Sequence, residues 1–219
     1  AILMRKQVNV PEDATVSAFG RSESRSSLFV YGFSDGSVLP LKLEYDQTFP
    51  EGVRVVTPRL SFPLGEEPMR IGDRVEGDYT ALTLVEGRTG YVVAGGNKDG
   101  SIAMALFSAR RNMLTGDVQI SRQDYELPAI SRPVRQLLIN ETLRNLFAVD
   151  DQGLLYNIDI VDPNRPRIIE RVQLVADGAS VTAADFLVGS RSLIVGGSDG
   201  SVSQWMLVRD EETNVPHLT

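Results

Sequence analysis

The sequence predicts an all-β fold: about four four-stranded antiparallel blades, set side by side as in a propeller. Three observations predict it. One apolar–turn–apolar pattern recurs along the whole chain. Each copy turns at a glycine. The apolar positions that follow the glycine keep one register in every copy.

The copies are LFVYGFSDGSVLPLKL from Leu28 to Leu43, YVVAGGNKDGSIAMALF from Tyr91 to Phe107, LFAVDDQGLLYNIDI from Leu146 to Ile160, and LIVGGSDGSVSQWML from Leu193 to Leu207. Asp35-Gly36, Asp99-Gly100 and Asp199-Gly200 are hairpin signals, and Gln152-Gly153 keeps the glycine in the third copy. Glycine accepts the positive φ of a tight hairpin, and Asp can bond its own backbone. Two residues after each glycine stand Val38, Ile102, Leu155 and Val202. Five after it stand Leu41, Ala105, Ile158 and Trp205, and seven after it Leu43, Phe107, Ile160 and Leu207. Side chains alternate along a strand, so the fifth and seventh positions share a face. That face is apolar in every copy and is expected to be buried.

A strand-like run precedes each hairpin, beginning near Val16, Tyr79, Val134 and Val181. Another follows in the first three copies, at Val53 to Phe62, Val118 to Leu127 and Ile168 to Leu174. The fourth copy offers only a charged stretch from Arg209 to Glu212 and then Val215-Pro216, so no outer strand is expected there. The shared glycine returns at intervals of 64, 53 and 47 residues, close to the spacing of propeller blades. The chain divides as one propeller-type domain or fragment, 1–219, with blades near 8–64, 79–129, 134–175 and 180–219. Pro63 and Pro128 mark joints between them. A β-sandwich would also give alternation and turns, but not one glycine-relative register four times over.

Composition narrows the function. The net charge is −7 and the densest basic runs are pairs, Arg5-Lys6 and Arg110-Arg111, which argues against nucleic acid. Cysteine is absent, which excludes disulfides and thiolate metal sites. The first apolar stretch, Ala1 to Met4, stops at Arg5-Lys6, and no run reaches the ~20 apolar residues of a spanning helix.

The hairpins resemble the WD repeat, most closely SDGSVSQWML from Ser198 to Leu207, where Trp205 stands at the family's Trp. The Asp that follows that Trp in the family is Met206 here, and only Ile158-Asp159 keeps it. The family's Gly-His dipeptide is missing, so its buried polar tetrad is not expected. LIVGGSDGSVSQWMLVRDEE, Leu193 to Glu212, further resembles the final part of the extracytoplasmic insertion of large bacterial phosphate ABC-transporter permeases. That resemblance implies a non-catalytic interaction or sensing domain on the periplasmic side of the inner membrane. It implies a phosphate-binding protein and other transporter subunits as partners, with the membrane reached only through flanking helices. A cytoplasmic WD-repeat scaffold and a propeller enzyme, such as a lactonase or quinoprotein, are the alternatives.

The residues show no catalytic, metal or cofactor centre. His217 is the single histidine and reads as an exposed tail residue. Asp99 and Asp150-Asp151 lack the alternating oxygen ligands of a calcium loop and read as turn residues. Glu66-Glu67 and Glu211-Glu212 read as solvated charges, because neighbours on a strand face opposite ways. Gly95-Gly96 and Gly196-Gly197 recur at strand ends, with no Gly-Lys-Ser/Thr to make a phosphate loop. Asn140-Glu141-Thr142 matches a glycosylation sequon. Trp205 reads as blade core, so Trp205→Ala is expected to cost about 3–5 kcal/mol. In WD-type blades the turn between the second and third strands lies on one rim. Ser34, Asp35, Lys98, Asp99, Asp151, Gln152, Ser198 and Asp199 are therefore the candidate partner-binding set. WD rings usually exceed four blades. The chain is accordingly expected to be part of a larger ring, and in isolation to form an open arc or a homodimer.

Overall fold

The computed structural model describes residues 8–22, 27–72, 78–88, 90–111, 118–140, 142–187, 192–211 and 216–219. Arg5-Lys6, Glu141, Glu212 and Val215 lie outside them. Every repeat copy becomes the middle hairpin of its own antiparallel sheet.

Blade 1 runs β1 (Val16–Arg21), β2 (Ser27–Phe33), β3 (Ser37–Thr48) and β4 (Val55–Ser61), with a short β5 (Met69–Arg70) added against the start of β3. Blade 2 is β6 (Tyr79–Glu86), β7 (Gly90–Asn97), β8 (Ile102–Arg111) and β9 (Val118–Leu127). Blade 3 is β10 (Val134–Ile139), β11 (Asn145–Asp150), β12 (Leu154–Asp159) and β13 (Arg167–Gln173). Blade 4 is β14 (Val181–Phe186), β15 (Ser192–Gly197), β16 (Val202–Arg209) and β17 (Pro216–Leu218). A single 3-10 turn, Pro50–Gly52, is the only helical element among the described residues.

The fourth blade does have an outer strand, which corrects the expectation from sequence. Pro216, His217 and Leu218 pair with Arg209, Val208 and Leu207 in turn, and Arg209, the first residue of the charged stretch, ends β16. Three residues beginning at a proline are too few to show an alternating pattern, and proline fits the first position of an edge strand. His217 is thus a half-buried strand residue, not a loose tail.

The glycine-relative register explains how the blades stack. Val38 of blade 1 shares a core with Ala105 and Phe107 of blade 2. Ile102 of blade 2 shares one with Ile158 and Ile160 of blade 3. Leu155 of blade 3 shares one with Trp205 and Leu207 of blade 4. Each time, the second-position face of one blade covers the fifth- and seventh-position face of the next. The two outermost faces follow the same logic. Leu41 of blade 1 lies in a separate cluster with Phe33, Leu39, Val8, Ala14 and Phe62. Val202 of blade 4 is 75% exposed. Among the described residues no hydrophobic cluster joins blade 4 to blade 1.

The hairpin glycines behave alike. Gly36, Gly100, Gly153 and Gly200 have φ of 80°, 85°, 77° and 82°. Each donates its N–H three residues back, to the carbonyls of Phe33, Asn97, Asp150 and Gly197. This is the three-residue hairpin form with glycine in the left-handed position. The Gly95-Gly96 pair lies at the end of β7 and lets the neighbours approach. A Cβ on Gly95 would fall 2.4 Å from the Tyr79 ring, and one on Gly96 2.5 Å from Val134. Tyr79 is fully buried and donates its hydroxyl to the Ile71 carbonyl at 2.8 Å. That burial pushes its phenol up to about 12.

Candidate functional site

The inner strands β1, β6, β10 and β14 surround a central cavity of about 300 Å³, lined by residues from all four blades. Each inner strand carries a bulge at its second residue: Ser17, Thr80, Arg135 and Thr182. A bulge leaves one residue unpaired and re-aims it. Two of these hydroxyls turn back into the protein. Thr80 bonds the Gly96 carbonyl at 3.1 Å and the Val134 carbonyl at 2.5 Å, and Thr182 bonds the Gly196 carbonyl at 2.9 Å. Arg135 breaks the pattern. It is exposed and lines both the central cavity and the groove between blades 3 and 4. Gln136, beside it, donates to the Ala184 carbonyl and ties blade 3 to blade 4. Arg21 of β1 reaches Asp185 of β14 at 2.9 Å, both largely exposed. An exposed pair of this kind contributes little stability.

The turn residues nominated from sequence divide into fixed and free groups. Asp35 accepts the Ser37 N–H and hydroxyl at 3.0 and 2.6 Å. Asp99 accepts the same two groups of Ser101 at 2.9 and 2.6 Å, and Asp199 those of Ser201 at 3.0 and 2.6 Å. In blade 3 the role moves to Asp150, which accepts the N–H groups of Gln152 and Leu154. These carboxylates fasten their own turns. The Ser101 and Ser201 bonds hold Asp99 and Asp199 below the usual carboxylate value. At Asp35 desolvation pushes upward, but the Ser37 bonds still bring the carboxyl down.

The residues beside them anchor the turns to the chain entering each blade. Ser34 accepts the Thr15 N–H and Ser198 the Ser180 N–H, both at 3.0 Å. Asp151 accepts the Arg132 guanidinium at 2.6 Å. Gln152 is exposed and donates to the Asp151 carbonyl. Lys98 is exposed, and its ammonium has no partner among the described residues. Among those residues no hydrogen bond joins one of the four turns to another.

Sequence reasoning missed a buried polar ladder across blade 3. Asn140 donates to the Asn145 side-chain oxygen at 3.2 Å, Asn145 to Asn157 at 2.8 Å, and Asn157 to Glu170 at 3.3 Å. Glu170 in turn accepts the Leu218 N–H of blade 4 at 2.9 Å. The three asparagines are buried. The sequon asparagine, Asn140, is therefore a structural rung. The signal was present as Asn at 140, 145 and 157. It is specific only once the strand register aligns those residues. Asn157→Ala would leave the Asn145 amide without its acceptor. It is expected to cost about 1–3 kcal/mol in a denaturant melt, against less than about 0.5 kcal/mol for the exposed Gln204→Ala.

The remaining motifs are turn and surface features. Glu67 accepts the Asn9 amide at 3.0 Å, and Glu211 is exposed. Trp205 is half-buried, with its indole N–H on the Ser203 hydroxyl at 2.9 Å. It lies on the edge of the blade 3–4 core, which lowers the cost expected for its removal.

No family model and no curated protein matches the chain. Among solved structures it resembles Sqt1 from Chaetomium thermophilum, a WD-repeat protein, at 14% identity and a TM-score of 0.51. The match covers 87% of this chain but 43% of that one. The likeness is one of fold: this chain has the blades of a WD-like β-propeller and spans under half the length of that structure.

Proposed function

We propose that this domain is a non-catalytic interaction or sensing module. The observation that carries the reading is the constancy of the turn frame beneath an outer position whose residue changes from blade to blade. Asp35, Asp99 and Asp199 make the same two bonds. The neighbouring position holds Ser34, Lys98 or Ser198, and Asp151 in blade 3. Variable side chains on a rigid frame are how a scaffold presents contacts to a partner. The WD-like fold supports the same reading, since protein interaction is a common use of such propellers.

The finer reading is the periplasmic insertion of a phosphate ABC-transporter permease, held to the inner membrane by flanking helices. The resemblance of Leu193 to Glu212 supports it. Its partners would be the phosphate-binding protein and the other transporter subunits. Calorimetric titration with the phosphate-binding protein of the same genome, with and without phosphate, tests this reading. Binding that is weakened in a Lys98→Glu, Gln152→Lys double variant is the expected result. No heat in either state would overturn the transporter reading. Stabilisation by calcium or by a quinone cofactor in a thermal-shift series would overturn the non-catalytic one.

A further inference from the structure

We propose that the central cavity is a binding site for a small organic monocarboxylate, held by Arg135. The rim turns take no part in it, so it goes beyond the function proposed above and does not depend on it.

The repeat itself shows what the fold requires of an inner strand. Three of the four open alike, as Val16-Ser17-Ala18, Tyr79-Thr80-Ala81 and Val181-Thr182-Ala183, with the alanine opposite Gly32, Gly96 or Gly196. Blade 3 reads Val134-Arg135-Gln136 instead, with Gln136 opposite Val149. Thr80 and Thr182 close their bulges on the facing glycine carbonyls, so a short hydroxyl serves the frame. Arg135 brings a charge that the frame does not use. It is exposed, and its guanidinium has no partner among the described residues. The carboxylates of the adjoining groove are engaged elsewhere: Asp150 by the N–H groups of Gln152 and Leu154, Asp151 by Arg132.

The rest of the lining defines the ligand. The charged residues around the cavity are Arg21, Arg135 and Asp185. Arg21 and Asp185 pair at 2.9 Å. That leaves one uncompensated positive charge, at Arg135, in a chain whose net charge is −7. A free guanidinium fits one carboxylate, fork to fork. A phosphate would need a second free cation, and Arg21 is committed to Asp185. Phe19, Leu82 and Leu137 line the same cavity and offer walls to an apolar body. These walls are preformed. A Cβ on Gly20 would lie 2.4 Å from the Leu82 carbonyl oxygen, so β1 and β6 meet backbone to backbone. Phe19 is stacked on Phe29 at 5.9 Å, and Gln136 ties blade 3 to the Ala184 carbonyl of blade 4. At about 300 Å³ the cavity stands at the lower end of ligand pockets, so the acid is small.

Titration of the purified chain with phenylacetate and with hexanoate, followed by amide NMR shifts, tests the proposal. Saturable shifts at the Gly20, Arg135 and Gln136 amides are expected. Phenylacetamide, the same body without the charge, is expected to bind at least about tenfold more weakly. Arg135→Gln is expected to weaken phenylacetate binding by a similar factor, with unchanged circular dichroism because the site is exposed. Lys98→Gln, which removes a rim cation, is expected to leave that binding unchanged. Equal affinity for phenylacetate and phenylacetamide would overturn the proposal. So would an Arg135→Gln variant that binds phenylacetate as the wild type does, or the absence of saturable shifts with either acid. Saturation by inorganic phosphate alone would overturn it as well.

Discussion

Replacing Gly100 with alanine is expected to cost about 2–5 kcal/mol, while the same change at Gly200 costs about 1–2 kcal/mol. Both residues hold the left-handed conformation, at φ of 85° and 82°. An L-residue there costs about 1–2 kcal/mol by itself. The difference lies in what surrounds them. A Cβ at Gly100 would sit 2.0 Å from the Ile130 carbonyl oxygen and 2.9 Å from that of Arg132, while at Gly200 nothing lies within 4 Å. Backbone cannot step aside as a side chain can, so overpacking adds about 1–3 kcal/mol. The Ile130 N–H also bonds the Gly100 carbonyl at 2.9 Å, fixing the joint to blade 3 against the turn. Paired urea melts of the two variants check this. Equal midpoint shifts would show that the joint yields.

Phe147→Ala is expected to destabilise the protein by about 3–5 kcal/mol, the usual cost of emptying a buried aromatic site. Phe147 is 1% exposed and meets the Phe186 ring edge-on at 5.7 Å, across the blade 3–4 interface. Trp205→Ala, although it removes a larger side chain, is expected to cost about half as much, because its ring lies at the interface edge with one side open. A denaturant series on both variants separates them. A larger loss at Trp205 would place the weight of the interface on the outer strands.

The hairpins were legible in the sequence because glycine and aspartate there answer to local backbone demands. The register after Gly36, Gly100, Gly153 and Gly200 then placed every middle strand. The inner strands begin at Val16, Tyr79, Val134 and Val181, as their apolar onsets predict. What the sequence could not show depends on partners distant in the chain. β17 is recognisable only from its pairing with β16. Exposure of Val202 follows from the lack of a covering blade, not from its own residue type, which matches Val38. The asparagine ladder links residues up to 78 positions apart, from Asn140 to Leu218. The candidate rim was legible as a set of turns. That most of its carboxylates and hydroxyls are engaged in fastening those turns was not, because Asp-Gly-Ser specifies the backbone form and leaves the partner of each oxygen to geometry.

The ladder also imposes an order in time. Leu218 docks its amide on Glu170, and Glu170 is held by Asn157 on the neighbouring strand. The last strand pairs with β16, but its tie to Glu170 forms only once blade 3 has assembled. A chain emerging from the ribosome completes its early blades first, so this dependence runs in the direction of synthesis. The amide of Leu218 should therefore exchange with solvent no more slowly than blade 3 opens.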